Sequence, residues 1–479
     1  MPPPHPETAM SQERNHRWRQ LLSYHRVGDK PRHAPLETLD ERTEYDKDYD
    51  RIVFSSAFRS LHDKTQVFPL STSDYTRTRL THSIEASCVG RSLGQLAGRC
   101  LKGQGVAVEP AHLGTVVAAA CLAHDIGNPP FGHSGEAAIQ HWVERSFPRF
   151  DREAVVGPRH PFATEAEWQD LVRFEGNAQG FRILNRLQAR TRDGGLRYTV
   201  VTVGAMSKYP RPSVLPGRRE RDRARISEKK FGFFQDDTQL ACEVFRAMGL
   251  AEREPGVFSR HPLAFLVEAA DDICYAIIDL EDSAKLGLIP METACELLED
   301  VAATQQNFKP LKEKVDGETR LGRARAGAIF ALIQECVAVF AERVEAMEAG
   351  RYEQALVEAR DGVGQKVQAI KELTRAKGYE SERVLQIEAA GFRTLGGLLD
   401  AFVPSVLTDK PNKEEKKLRQ LLPLEYFQRP GPYLEDRDEA IRRLTPYQRL
   451  LCVTDYVSGM TDGFAVELYQ RLSGIKLPT

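Results

Sequence analysis

The chain contains no CxxC pair. Its cysteines, Cys88, Cys100, Cys121, Cys242, Cys274, Cys295, Cys336 and Cys452, stand apart, most of them in apolar stretches such as "AACLA" and "DDICYAII". They read as small buried hydrophobes in a reducing compartment, which excludes a disulfide scaffold and a zinc ribbon. No apolar stretch follows "MPPPHPETAMSQERNHRWRQ", so no signal peptide is expected. The longest apolar run, residues 114–123, is about half of the ~20 residues a membrane helix needs. Charge of one sign is also lacking: 66 basic against 68 acidic residues leave a net charge of -2, which argues against a general polyanion binder. No fixed-period repeat is visible, so a solenoid is not expected. These absences together predict a soluble, cytoplasmic protein with no membrane partner.

What is present is a 479-residue chain, 41% apolar, longer than a usual single domain and able to bury a large core. Residues 1–35 are polar and Pro-rich and are expected to be flexible. Residues 36–290 read as a catalytic core, with insertions near 145–170 and at the basic, Pro-punctuated loop 210–228. Residues 291–479 read as a helical region that completes the pocket and makes oligomer contacts. Helical spacing dominates throughout; "GLRYTVVTVGAMSKYP" is the one β-like passage. The expected fold is mostly α, with a small β excursion.

One stretch concentrates the chemistry. "HDIGNPPFGHSGE", His124 to Glu136, ends an apolar helix on His-Asp, crosses two prolines and restarts on His133 and Glu136. Adjacent residues point about 100° apart on a helix, so His124 and Asp125 reach one ion only beyond its end. A lone His-Asp pair reads as a satisfied core histidine. Here "RTRLTHS" adds His82 and "VEAADDICYAIIDLED" adds Asp271, opposite the apolar face of Leu266, Ala270, Ile273 and Ile277. Two imidazoles and two carboxylates suit a transition metal or magnesium with positions left open. His133 and Glu136, at i and i+3, share a face, as a carboxylate-oriented general acid or base requires.

The ordered segments "RIVFSSAFRSLHDKTQVFPL", "RTRLTHSIE", "HDIGNPPFGHSGE", "FEGNAQGFRIL", "VEAADDICYAIIDLED" and "DYVSGMTDGFA" resemble the bacterial dGTPase family of HD-domain phosphohydrolases. The resemblance runs from about Tyr49 to Phe464. It implies a hydrolase that cuts a dNTP, dGTP preferred or broad, into deoxynucleoside and inorganic triphosphate. It implies His82, His124, Asp125 and Asp271 as ligands of Mn2+ or Mg2+, and His133 with Glu136 as the catalytic pair. By the same resemblance Asn177, Lys208, Tyr209 and Lys230 meet the phosphates, while Gln66, Val67, Tyr275 and Asp279 meet the deoxyribose. Phe392 and Arg449 are expected near the base. A homohexamer, and single-stranded DNA or a nucleotide as effector, belong to the same expectation. The alternatives are an HD-type nucleotidase or phosphodiesterase on another nucleotide, and a nucleotide-pool effector regulated by single-stranded DNA through the basic loop.

Overall fold

The computed structural model describes residues 6–29, 41–66, 77–215, 217, 225–305, 308–309, 315–379 and 382–476. Val67 and residues 218–224 of the basic loop lie outside them. The described chain is mostly α. Helix α1 (Pro6–Leu21) occupies the segment expected to be flexible. It docks by burying Trp18 and Leu21, with the Trp18 indole donating to Glu348 at 2.7 Å. A helix this polar gives little periodic signal, and two buried residues hold it.

Helix α2 (Glu44–Val53) starts on a Thr43–Asp46 capping box, and α3 (Arg79–Gly103) on a Thr78–Thr81 one. Helix α4 (Pro110–Ala123) begins with proline in its first turn and is buried on nearly every side from Leu113 onward, as its all-apolar sequence dictates. Helices α5 (Gly132–Ser146) and α6 (Gly176–Arg182) follow.

The β-like passage is a correction. Residues Val200–Met206 form helix α7, capped by the Thr199 hydroxyl and buried throughout. Burial on all faces and a good cap override the β preference of Val and Thr. The small β excursion lies elsewhere, in the antiparallel pair Glu252–Glu254 and Val257–Phe258.

Helix α8 (Pro262–Lys285) runs through the interior, and α9 (Gly317–Glu348) packs on it. By length and composition α9 would cross a bilayer, yet half of its apolar window is buried in the fold. Its Arg320 and Arg325 pair with Glu299 and Glu281. The C-terminal part adds α10 (Val363–Thr374), α11 (Glu382–Leu407), α12 (Pro446–Ser458) and α13 (Asp462–Leu472).

Two apolar clusters organise these helices, and neither follows chain order. One joins α1 to α4 with α7 to α10. The other joins α5 with α11 to α13 and is rich in aromatic side chains. The 145–170 stretch is not all surface, since Phe147 and Phe162 enter this second cluster. All the cysteines are free; six are buried, Cys100 is half-buried and Cys88 is exposed.

Candidate active site

Three helices of the first cluster converge on one point. His82 sits one turn into α3, His124 caps the end of α4, and Asp271 lies mid-way along α8. The Asp271 carboxylate is 3.1 Å from His82 Nε2 and 3.3 Å from His124 Nε2. His124 Nδ1 donates to the Cys121 carbonyl at 2.6 Å, which leaves Nε2 as the nitrogen facing the cluster. That Nε2 is buried and, among the described residues, makes no well-directed hydrogen bond. One donor atom from each of His82, His124 and Asp271 lies within 4.8 Å of the others, a spacing a divalent cation fits.

The electrostatics favour a cation there. Burial opposes a charged imidazole at His124, but Asp125 and Asp271 outweigh it and raise its pKa. Burial likewise opposes ionisation of Asp271, yet Lys208 and His124 hold it well below the usual carboxylate range. The Lys208 ammonium donates to Asp271 at 2.5 Å. Asp125 stands slightly apart: its Oδ1 is 3.6 Å from His124 Nε2, while Arg79 and Asn128 donate to it at 2.7 and 2.6 Å. Against the pull of burial, Arg79 and the imidazoles keep it strongly acidic.

The second cluster supplies the other half. Phe131, at φ 64°, turns the chain into α5. His133 then stands exposed with its Nδ1 2.7 Å from the buried Glu136. The other Glu136 oxygen accepts from the Gly176 amide at 2.7 Å. Burial works against the charge of Glu136, but His133, Lys230 and that amide keep its pKa low. Gly127 makes this possible, because a Cβ there would lie 2.1 Å from the Gly176 carbonyl oxygen. Lys230 and the Asn177 amide both donate to Glu175, at 3.0 and 2.7 Å.

The loop is braced from far along the chain. Asp462, at the start of α13, accepts from the Phe131 amide at 3.0 Å and from the Thr65 amide at 3.0 Å. The fully buried Lys64 donates to the carbonyls of Asn128 and Ser458, at 2.7 and 2.9 Å.

These groups surround a cavity of about 630 Å³. Gln66, His124, Asp125, His133, Asn177, Lys208, Tyr209, Lys230, Asp271 and Tyr275 line it, with Glu136 and His82 directly behind. Asp279 is buried off the cavity wall, near the far end of α8. Phe392 sits on the surface of α11 against His141. Arg449 is buried within the second cluster, bound to the carbonyls of Ile441 and Leu444 and to Asp409. Arg375, Val384, Ile387 and Glu388 complete the lining of the cavity. Arg79 and Asn128, which hold Asp125, were already inside the quoted motifs. The Arg375–Glu388 wall carries no local motif that marks it.

Fold and cavity define a helical protein in which two imidazoles and a carboxylate from three helices converge at one cavity. Residues 357–471 match the family model of a phosphohydrolase-associated domain. A deoxyguanosinetriphosphate triphosphohydrolase-like protein of Synechocystis sp. is 43% identical over 465 residues, spanning 96% of this chain and 100% of that protein. A protein of the same description from Pseudomonas aeruginosa is 36% identical over 472 residues, spanning 96% and 100%. The deoxyguanosinetriphosphate triphosphohydrolase of Yersinia enterocolitica is 29% identical over 513 residues, spanning 95% and 98%. The chain belongs to the deoxyguanosinetriphosphate triphosphohydrolase, or dGTPase, family.

Proposed function

We propose that this protein hydrolyses deoxynucleoside triphosphates, dGTP preferentially or among several, to a deoxynucleoside and inorganic triphosphate. His82, His124 and Asp271, with Asp125 as the fourth ligand, would hold a divalent metal ion, Mn2+ or Mg2+. The observation that carries this reading is the convergence of the His82, His124 and Asp271 donor atoms in the same cavity as the His133–Glu136 pair. The names of the relatives support the substrate class. When bound, the ion would polarise the α-phosphoryl group.

In this reading Lys208, Lys230, Tyr209 and Asn177 take the phosphate chain, and Gln66 and Tyr275 wall the sugar. Water adds to the α-phosphorus as the bond to O5′ breaks. The water's hydroxyl oxygen stays on phosphorus, one proton ends on O5′, and triphosphate departs. His133, oriented by Glu136, moves a proton in this exchange. The reading assigns no substrate contact to Asp279, Phe392 or Arg449, which lie off the cavity. It extends to a cytoplasmic homohexamer, measurable by sedimentation velocity, with single-stranded DNA or a nucleotide as effector.

The test is to incubate purified protein with each dNTP and NTP, with manganese or magnesium, and identify the phosphate released. Triphosphate with deoxynucleoside is the expected product. Monophosphate or pyrophosphate release would replace this reading with another nucleotidase.

A further inference from the structure

One carboxylate on the wall of the catalytic cavity takes no part in the proposed hydrolysis. Glu175 is buried and stands immediately before α6, among the residues that line the cavity. A single oxygen, Oε1, accepts from the Lys230 ammonium at 3.0 Å and from the Asn177 side-chain amide at 2.7 Å. The same oxygen accepts from the Asn177 backbone amide at 3.5 Å and so caps α6. The next residue, Gly176, gives its amide to Glu136 at 2.7 Å. A Cβ on Gly176 would lie 2.4 Å from Asn128 Oδ1 and 2.8 Å from Glu136 Oε1, so only glycine lets α6 start this close to the loop that leads to His133.

Among the described residues, both groups held by Glu175 keep donors to spare. An ammonium carries three protons, and Glu175 takes one of them. The accepting oxygen also draws the NH2 end of the Asn177 amide toward itself, which leaves the second N–H of that group for another acceptor. Burial opposes the charge on Lys230, but Glu136 and Glu175 outweigh it and raise its pKa, so the lysine stays a cation. Glu175 itself is a costly charge to keep here: burial and the neighbouring Glu136 push its pKa up, against Lys230 and Asn177. If charge were all it supplied, it would only repel a triphosphate. What offsets that repulsion is the order it imposes on two donors.

We infer, on the reading that Lys230 and Asn177 take the phosphates, that Glu175 is a positioning residue: through one oxygen it holds the ammonium and the amide in place to meet the phosphate chain. Side chains already held lose less rotamer freedom when substrate binds, and a lysine stem is among the most demanding to order. Glu175 also ties the phosphate-binding side of the cavity to the proton-carrying side, because its neighbour Gly176 holds the Glu136 that orients His133.

The test is steady-state kinetics of the full chain with dGTP and manganese, for Glu175→Ala, Glu175→Gln, Lys230→Ala and the Glu175→Ala/Lys230→Ala double variant. Glu175→Ala should raise KM by about tenfold with little change in kcat. Glu175→Gln keeps an acceptor oxygen and should recover most of that rise. The double variant should lose less than the product of the two single losses, because Glu175 acts in part through Lys230. A lower KM in Glu175→Ala would show that the carboxylate only repels, and a fall in kcat at unchanged KM would show a merely structural role. Either result overturns the inference, as does a double variant whose losses multiply. If Glu175→Ala does not fold, Glu175→Asp, which draws the oxygen back by one methylene, replaces it. A several-fold rise in KM is then expected, and an unchanged KM would overturn the inference. Lys230→Ala with unchanged KM, or wild type that releases no triphosphate, would instead sink the phosphate reading, and the positioning role with it.

Discussion

The first apolar cluster is built on close backbone contact, the second on aromatic bulk. Where α3 crosses α4, a Cβ on Gly94 would lie 2.6 Å from the Leu113 carbonyl oxygen, so the two helices touch main chain to main chain. Where α5 meets α11, the Cβ of an alanine at Gly396 would find its nearest neighbour, Trp142, 3.9 Å away. The first arrangement fixes His82 against His124 through two rigid helices, with little freedom for either ring. The second fills space with Phe131, Trp142, Phe402 and similar side chains, and presents His133 from a helix start. A cation site needs donors held to within fractions of an ångström, whereas a proton carrier needs room to move. The two halves of the cavity differ accordingly.

That division can be broken by experiment. Asp271→Asn should remove both activity and bound metal, because the carboxylate bridges both imidazoles; metal retained at wild-type level would dissolve the proposed centre. His133→Ala should lower kcat by about 10²–10⁴-fold while metal content stays unchanged. Metal loss in that variant, read by elemental analysis, would erase the distinction between the halves.

Stability sharpens the contrast further. In the second cluster Asp170 accepts from Ser213, Tyr447 and the Gln235 amide, and burial, only partly offset by those bonds, pushes its pKa up to about 7. A carboxyl raised in the folded state stabilises most below its ordinary value of 3.8, and loses that contribution as pH climbs through about 7. The protein should therefore lose up to roughly 4 kcal/mol from this group between pH 4 and pH 8. Asp170→Asn should flatten the slope of Tm against pH, and an unchanged slope would refute the assignment.

The glycines give the smallest effects and the most direct comparison. Gly94→Ala should cost about 1–3 kcal/mol and lower kcat/KM, since backbone must move to admit the methyl group. Gly396→Ala should raise stability by about 0.5–1 kcal/mol with kcat/KM unchanged, because a helical glycine is replaced where space exists. Thermal melts of the two variants measure both, and equal responses would show that the clusters pack alike.

The same division explains what could be read from the chain. The mostly helical fold was legible from spacing, whereas the grouping of His82, His124 and Asp271, with Asp125, rested on the family resemblance, since no local spacing links three separate helices. His133 and Glu136 pair within a single turn, a strictly local geometry. Arg449 and Phe392 depend on how α11 and α12 settle into an aromatic cluster, which no short window encodes. An arginine that clamps two carbonyls looks, in sequence, like one that meets a base. Val200–Met206 fell to the same cause, because a run of Val and Thr buried on every face obeys its surroundings.

Asp462 also imposes an order on the making of the molecule. The ribosome completes every metal-type ligand by residue 271, yet the amides of Thr65 and Phe131 lack their acceptor until residue 462 has been synthesised. A nascent chain halted shortly before that point would carry His82, His124, Asp271 and His133 with the turn into α5 still unfastened. Catalytic competence should thus arrive late and abruptly during translation, so that truncated products are silent rather than partly active.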